Sequence, residues 1–211
     1  MKIIRYILGQ LQANCYLLIN EDQCLIIDPA DDASFIIEEV QRRRLKVIAL
    51  LATHGHFDHL MAAGELQKSL NVPFYINKKD RFLVDRVEET AEHFLGFKQV
   101  ILPIEDIKYF DEEKLLKLPG FDFKIIDTPG HTPGSVAFHF EKEKVVFTGD
   151  TLFKEGFGRY DFSYCDKKDL HDSLITLSKL KDDVKIFSGH GEETSFKNER
   201  KNLIYFLNFL K

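Results

Sequence analysis

The sequence predicts an α/β protein folded as a four-layer αββα sandwich. Two observations carry that expectation. Short apolar and β-branched runs come in two groups, one in each half of the chain, and each group is followed by segments of helical periodicity. Each half therefore supplies a sheet together with helices to cover one of its faces, and two such halves bury most apolar surface by packing sheet on sheet. Periodicity taken alone gives mixed α and β with two sheets. With 211 residues and 44% hydrophobic content, the chain is expected to form one domain over residues 1–211.

In the first half, Ile3–Leu8, Cys15–Ile19 and Cys24–Ile27 read as strands, and Asp28-Pro29 ends the third because proline cannot donate to a ladder. Ala33–Leu45 has near-helical spacing at Phe35, Ile36, Val40 and Leu45. Val47–Leu51 is a buried strand, Leu60–Leu70 a helix and Pro73–Ile76 a short strand. Lys79–Leu95 reads as one helix, followed by an aromatic cluster at Phe94 and Phe97. The segment Lys78–Phe110 reads first as an insertion packing on the sandwich edge. The alternative is that Phe82, Phe94 and Phe97 wall an apolar pocket. In the second half, Phe123–Asp127, Ser135–Phe140, Lys144–Thr148 and Val184–Ser188 are strands, and Asp166–Leu180 and Ser195–Leu210 are helices.

Charge narrows the function classes. Lys+Arg number 29 against 34 Asp+Glu, a formal net charge of −5, and the one basic run is Gln41-Arg42-Arg43-Arg44. That run falls at a helix end, where cations suit the dipole, so no nucleic-acid partner is expected. Cys15, Cys24 and Cys165 show no paired spacing, which argues for buried thiols rather than a disulfide framework. No signal peptide and no membrane-length apolar run is found, so a cytoplasmic protein without a membrane partner is expected. Oligomeric state leaves no mark.

The chemistry begins at Thr53-His54-Gly55-His56-Phe57-Asp58-His59, where three histidines and one aspartate fall within six residues directly after a buried strand. Imidazole and carboxylate suit zinc and its neighbours, and such a cluster buried without a partner would be costly. Three further strand ends each bring one candidate ligand beside a glycine: His131 in Thr128-Pro129-Gly130-His131-Thr132-Pro133-Gly134, Asp150 in Gly149-Asp150-Thr151, and His190 in Ser188-Gly189-His190-Gly191. Glycine allows the close approach a crowded site needs. The remaining histidines, His93, His139 and His171, lack this context and read as structural or exposed.

The motifs THGHFDH, TPGHTPGS, GDTLF and SGHG resemble those of the metallo-β-lactamase superfamily, in its short bacterial glyoxalase II-like branch, over a span from Asp28 to His190. The resemblance implies the αββα sandwich with metals at one edge between the sheets. It implies that His54, His56 and His131 hold one ion, that Asp58, His59 and His190 hold a second, and that Asp150 bridges them. Asp28 matches an early aspartate that orients the histidine loop. The implied cofactors are two divalent ions, zinc first, with iron or manganese as alternatives.

Water held by two metals has its pKa lowered towards roughly 7 and attacks an acyl carbonyl as hydroxide. A thioester such as S-lactoylglutathione suits this chemistry because a thiolate leaves readily. Asp58 is expected to accept the proton of that water as well as to bind metal. Full glyoxalase II enzymes have a further C-terminal helical domain for glutathione, whereas this sequence ends about one helix after His190, so that surface is expected to be missing. In place of their lysine- and tyrosine-bearing stretch stands Phe157-Gly158-Arg159-Tyr160-Asp161-Phe162. Arg159 reads either as a substrate-carboxylate site or as a structural partner of Asp161, the second being preferred.

The competing functions are a persulfide dioxygenase with one iron on residues matching His54, His131 and Asp150, a lactonase, and a binding domain with a vestigial site. Thr151 favours the hydrolases over the dioxygenases, which more often carry alanine there. Seven intact candidate ligands weigh against a vestigial site.

Overall fold

A computed structural model describes residues 1–110 and 116–211. The first sheet has six strands in sequence order: β1 Lys2–Leu8, β2 Ala13–Asn20, β3 Gln23–Ile27, β4 Lys46–Leu51, β5 Phe74–Ile76 and β6 Ile107–Tyr109. Its first three strands are antiparallel, and from β3 onward neighbours are parallel. The second sheet contains β7 Lys124–Asp127, β8 Val136–Phe140, β9 Val145–Gly149, β12 Lys185–Ser188 and β13 Thr194–Ser195, in the order β13-β12-β9-β8-β7. Between β9 and β12 the chain forms a small hairpin, β10 Leu152–Phe153 with β11 Gly156–Phe157. The helices are α1 Ala33–Arg42, α2 Ala63–Leu70, α3 Arg81–Val84, α4 Val87–Leu95, α5 Lys167–Ser178 and α6 Phe196–Phe209.

Three apolar clusters separate four layers. Alternate residues of the central strands point to opposite sheet faces. Cys15, Leu17, Cys24, Ile26 and Leu50 meet Ile36 and Val40 of α1 and Leu66 of α2. Their neighbours Tyr16, Leu18, Leu25, Ile27, Ala49 and Leu51 face the second sheet and pack on Phe123, Phe138, Phe140 and Phe147. The outer face of that sheet, with Ala137, Val146 and Ile186, is covered by Leu170, Leu174 and Leu177 of α5 and Leu203 and Phe206 of α6. Strands buried on both faces have no polar side to show, which explains their continuous apolar runs. The predicted αββα sandwich is thus the observed fold.

Several boundaries differ from the sequence expectation. Lys79–Leu95 is not one helix: a 3₁₀ turn at Lys78–Asp80 runs into α3, and the chain leaves helical geometry at Arg86 before α4 begins. The break turns the Asp80 side chain inward, where it is fully buried and bonded to two other loops. Tertiary hydrogen bonds there override a periodicity that was locally continuous. Helix α1 stops before Leu45 because Arg44 takes a left-handed φ of 55°. The region Leu60–Leu70 is helical only from Ala63, after a 3₁₀ turn at Phe57–His59. Asp166 and Ser195, expected inside α5 and α6, are their N-caps, accepting from the backbone N–H of Asp169 and Asn198. The short strands β6, β10, β11 and β13 carry too few residues for a pattern and were not expected. Strand β6 does join the sheet edge, as the insertion reading of Lys78–Phe110 anticipates.

All three cysteines are free, and Cys15 and Cys24 are buried. Among the described residues no helix is long and apolar enough to cross a membrane. At the end of α1, two arginines of the basic run fold back on Glu39. Its carboxylate also accepts from Tyr6 Oη of β1, which ties the helix to the sheet edge. The hydrogen bond from Tyr6 and those from the arginines hold the Glu39 carboxyl down at about 2, against an ordinary value of 4.5. Since the folded value is the lower one, this stabilisation is complete above about 4.5 and fades as pH falls towards 2. Glu39→Gln should therefore cost about 1–2 kcal/mol at neutral pH, read from urea unfolding midpoints. The gap between variant and parent should narrow below pH ~4.5; a gap independent of pH would overturn this assignment.

Candidate metal centre

The site lies where strand ends of both sheets meet. β4 runs into Thr53–His59, β7 into the His131 loop, β9 into Asp150 and β12 into His190. Backbone hydrogen bonds lash these ends together: Val136 N–H donates to Thr53 O at 2.8 Å, Gly189 N–H to Gly149 O at 2.8 Å, and Asn14 N–H of β2 to Gly189 O at 2.7 Å. Asn14 Nδ2 and Tyr16 Oη both donate to Ser188 O, at 2.9 and 2.6 Å, fixing the His190 loop against the first sheet. Two glycines are required by the packing. A Cβ on Gly189 would stand 2.1 Å from Asp150 Oδ1, and Gly149 has φ +50° with its Cβ position 2.3 Å from Thr53 Oγ1.

All seven predicted ligands converge. One group comprises His54, His56, His131 and Asp150, another Asp58, His59 and His190; within each, the ligand atoms lie within 4.8 Å of one another. Asp150 sits between the groups. Its Oδ2 is 3.6 Å from His131 Nε2 and 3.6 Å from His190 Nε2, while its Oδ1 is 3.6 Å from His59 Nε2. Asp58 Oδ2 lies 3.1 Å from His190 Nε2 and 3.7 Å from His59 Nε2.

The outward hydrogen bonds decide what these rings present to one another. Thr53 Oγ1 donates to Asp28 Oδ2 at 2.7 Å, so it accepts from His54 Nδ1 at 3.1 Å. His59 Nδ1 donates to Asp28 Oδ2 at 3.2 Å, and His131 Nδ1 to the Arg159 carbonyl at 2.8 Å. In its neutral form, each ring so anchored turns a bare Nε2 inward. Three nitrogen lone pairs and two carboxylates then face one small volume. His54 Nε2 and Asp150 Oδ1 are buried there without any hydrogen-bond partner. With these rings neutral the array has no donor and fits divalent cations, and in their absence a proton on His59 supplies the positive charge.

The electrostatics agree. Burial, reinforced by neighbouring imidazoles, holds His54 and His56 well below the ordinary histidine range, so their rings stay neutral. Burial pulls His59 the same way, but Asp58, Asp150 and Asp28 outweigh it and raise it to about 10. Burial would raise Asp58, yet His59 and His190 keep it lowered and ionised. Positive charge is thus favoured at the Asp58 end of the cluster.

Asp28 also lies close to His54 and His59. Its oxygens are taken by Thr53 N–H, Thr53 Oγ1 and His59 Nδ1, so it orients the histidine loop from behind. Arg159 lines the cavity, but its guanidinium makes two 2.7 Å bonds to Asp161 and lies 4.1 Å over the Phe162 ring, which favours the structural reading. Sequence reasoning missed two residues. Asp80 accepts from Gly55 N–H, Gly134 N–H and Thr132 Oγ1, joining the two histidine loops. Tyr164 Oη stands 2.8 Å from His56 Nε2. Neither lies in a motif or at a spacing that could have revealed it. The apolar wall was only the less favoured reading of its segment, yet Phe94 does line the metal cavity, whereas Phe97 stays 46% exposed.

The sequence model of the metallo-beta-lactamase superfamily matches residues 8–190. The chain belongs to this superfamily. Among relatives of the superfamily, it is 39% identical over 194 residues to hydroxyacylglutathione hydrolase GloC of Haemophilus influenzae, covering 90% of this chain and 91% of that one. It is 33% identical over 205 residues to the probable metallo-hydrolase YqgX of Bacillus subtilis, covering 95% of each. The crystal structure of BLEG-1 B3 metallo-beta-lactamase superposes with a TM-score of 0.88 at 31% identity, over 97% of this chain and 99% of that one. That of TTHA1623 in a di-iron-bound form gives 0.85 at 32%, over 94% and 98%. These likenesses agree with the glyoxalase II-like motifs.

Tyr164 supplies a test of the donor set. For His56 to turn a bare Nδ1 toward the cluster, its proton must sit on Nε2, where the Tyr164 oxygen accepts it. Burial pushes the Tyr164 phenol up to about 12, so it remains a neutral partner. Tyr164→Phe should weaken metal binding about 10–100-fold in chelator competition, with unchanged circular dichroism. Unaltered affinity would show that His56 is oriented without the phenol.

Proposed function

We propose that this chain hydrolyses acyl thioesters of small-molecule thiols, with S-lactoylglutathione the first substrate to test. The coarser assignment, a metallo-hydrolase of the superfamily, rests on the family match and the donor cluster. The observation that supports the finer reading is the convergence of six further candidate ligands around Asp150 beside an apolar cavity of about 480 Å³. The name of the Haemophilus relative supports the substrate class.

In this reading His54, His56, His131 and Asp150 would hold one divalent ion, and Asp58, His59 and His190 would hold a second. Zinc suits these donors, and iron and manganese share the preference for imidazole and carboxylate; the di-iron form of a relative keeps iron in view. The bound ions supply Lewis acidity toward the acyl carbonyl and a water acidic enough to ionise near neutral pH.

The chain's own side chains do the rest. Asp58, kept ionised by the imidazoles around it, takes the proton of the attacking water at Oδ2. The water oxygen bonds to the acyl carbon, the C–S bond breaks, and the products are a carboxylic acid and a thiol. Phe57, Phe94, Phe153 and Phe162 line the cavity and keep bulk water from the reacting atoms.

Metal analysis should find about two ions per chain together with thioester turnover. Asp58→Ala should empty one site, reducing the content to about one ion, and lower kcat at least about 100-fold. Full activity in that variant would refute the two-ion mechanism. One iron per chain, with oxygen uptake on glutathione persulfide, would replace it with the dioxygenase reading.

A further inference from the structure

A second cavity of about 600 Å³ adjoins the metal cavity, and Thr90, Phe94, Phe162 and Tyr164 line both. The partition between them is aromatic. Phe162 and Tyr164 stack with centroids 5.4 Å apart, and both rings lie against His56, at 5.6 and 6.0 Å. Beyond the partition, Phe82 meets the Tyr164 ring edge-on at 5.6 Å, Phe94 meets Phe162 edge-on at 6.2 Å, and Leu83 lies in the wall. Ring faces and edges so arranged favour another planar ring.

Charge at this cavity excludes one class of occupant. Its ionic residues are Arg86, Glu89 and Glu92, with His93 beside them. Arg86 is engaged by Glu89 through two 3.0 Å bonds, which leaves the rim net negative. The other nearby guanidinium, Arg159, is held by Asp161. Among the described residues lining it, no cation is left unpaired to receive carboxylates or phosphates, and the glutamates repel them.

A thioester at the metal centre has two ends, an acyl group and a thiol tail. Thiol tails of the glutathione type carry carboxylates and are kept out of this chamber. They are left the part of the metal cavity lined by Leu11, Phe153 and His190. The uncharged acyl end is the one this cavity can accept, and its volume of about 600 Å³ far exceeds what a three-carbon acyl group requires.

We propose that this second cavity lodges the acyl group of the substrate, and that the chain acts on thioesters of bulky, uncharged aromatic acyl groups. The inference rests on the thioesterase reading above and names the substrate class of that site. Phe82 and Glu89 line only this second cavity, so they are the positions to change.

The test uses the metal-loaded protein with the acetyl and phenylacetyl thioesters of one thiol. The phenylacetyl ester should have a kcat/KM at least about tenfold higher. Phe82→Ala, which removes a wall, and Glu89→Trp, which fills the chamber, should each reduce that ratio toward unity. In parallel, calorimetry with the inert amide N-ethylphenylacetamide reads binding without turnover. Its affinity should fall at least about tenfold in both variants, and a para-carboxylate on the ring should weaken it similarly. Equal turnover of both esters, with amide binding indifferent to both substitutions, would overturn the cavity assignment and leave the thioesterase standing. Amide binding that responds to both substitutions, with no thioester hydrolysed, would sink the reaction assignment and keep the cavity.

Discussion

The structure depends on one electrostatic constraint: three imidazole lone pairs and two carboxylates are aimed at a single buried volume. Acceptors brought together without donors repel one another, and burial removes the water that would relieve them. The arrangement is tolerable only around positive charge. Every feature of the sandwich edge serves to hold it: strand ends of two sheets deliver the ligands, and inter-sheet backbone hydrogen bonds stop the loops from parting. The large phenylalanine layer between the sheets supplies the rigidity on which that geometry rests.

Two carboxylates outside the cluster organise it from behind. Asp28 binds Thr53 and His59 and so sets which nitrogen of His54 and of His59 faces inward. Asp80 binds backbone N–H groups of both the Gly55 and the Gly134 loops, so it ties the histidine loops of the two sheets to each other. Burial raises the Asp80 carboxyl while three hydrogen bonds oppose the rise, the pattern of a group whose partners compensate much of its desolvation. Asp80 sits at the 3₁₀ turn that opens the segment after β5, where its side chain reaches both loops.

That broken segment also connects scaffold to specificity. Its edge strand β6 extends the first sheet, while α3 and α4 supply Phe82 and Phe94 to the walls of two adjoining cavities. Phe94 stacks on Phe57, which precedes Asp58 in the metal-binding turn, so the pocket wall and the donor loop share one aromatic contact. Tyr164 plays a similar double part, touching His56 with its hydroxyl and partitioning the cavities with its ring. Orientation of the donors and the shape of the substrate chamber are therefore not independent.

The sequence by itself determined the sandwich and picked out the candidate ligands that the fold brings together. Strand runs with helical segments after them are local patterns, and His54, His56, Asp58, His59, His131, Asp150 and His190 all stand at strand ends beside turn residues. Such signals survive in one dimension because backbone periodicity and turn chemistry act between near neighbours. Only the tertiary structure decided which ring nitrogen each histidine offers, that Asp80 and Tyr164 belong to the site, and that a second cavity lies beyond Phe162. Those outcomes depend on residues 25 to more than 100 positions apart, such as Gly55 with Asp80 and His56 with Tyr164. No spacing rule links such pairs; the packing of two sheets and one broken helix brings them within hydrogen-bond reach.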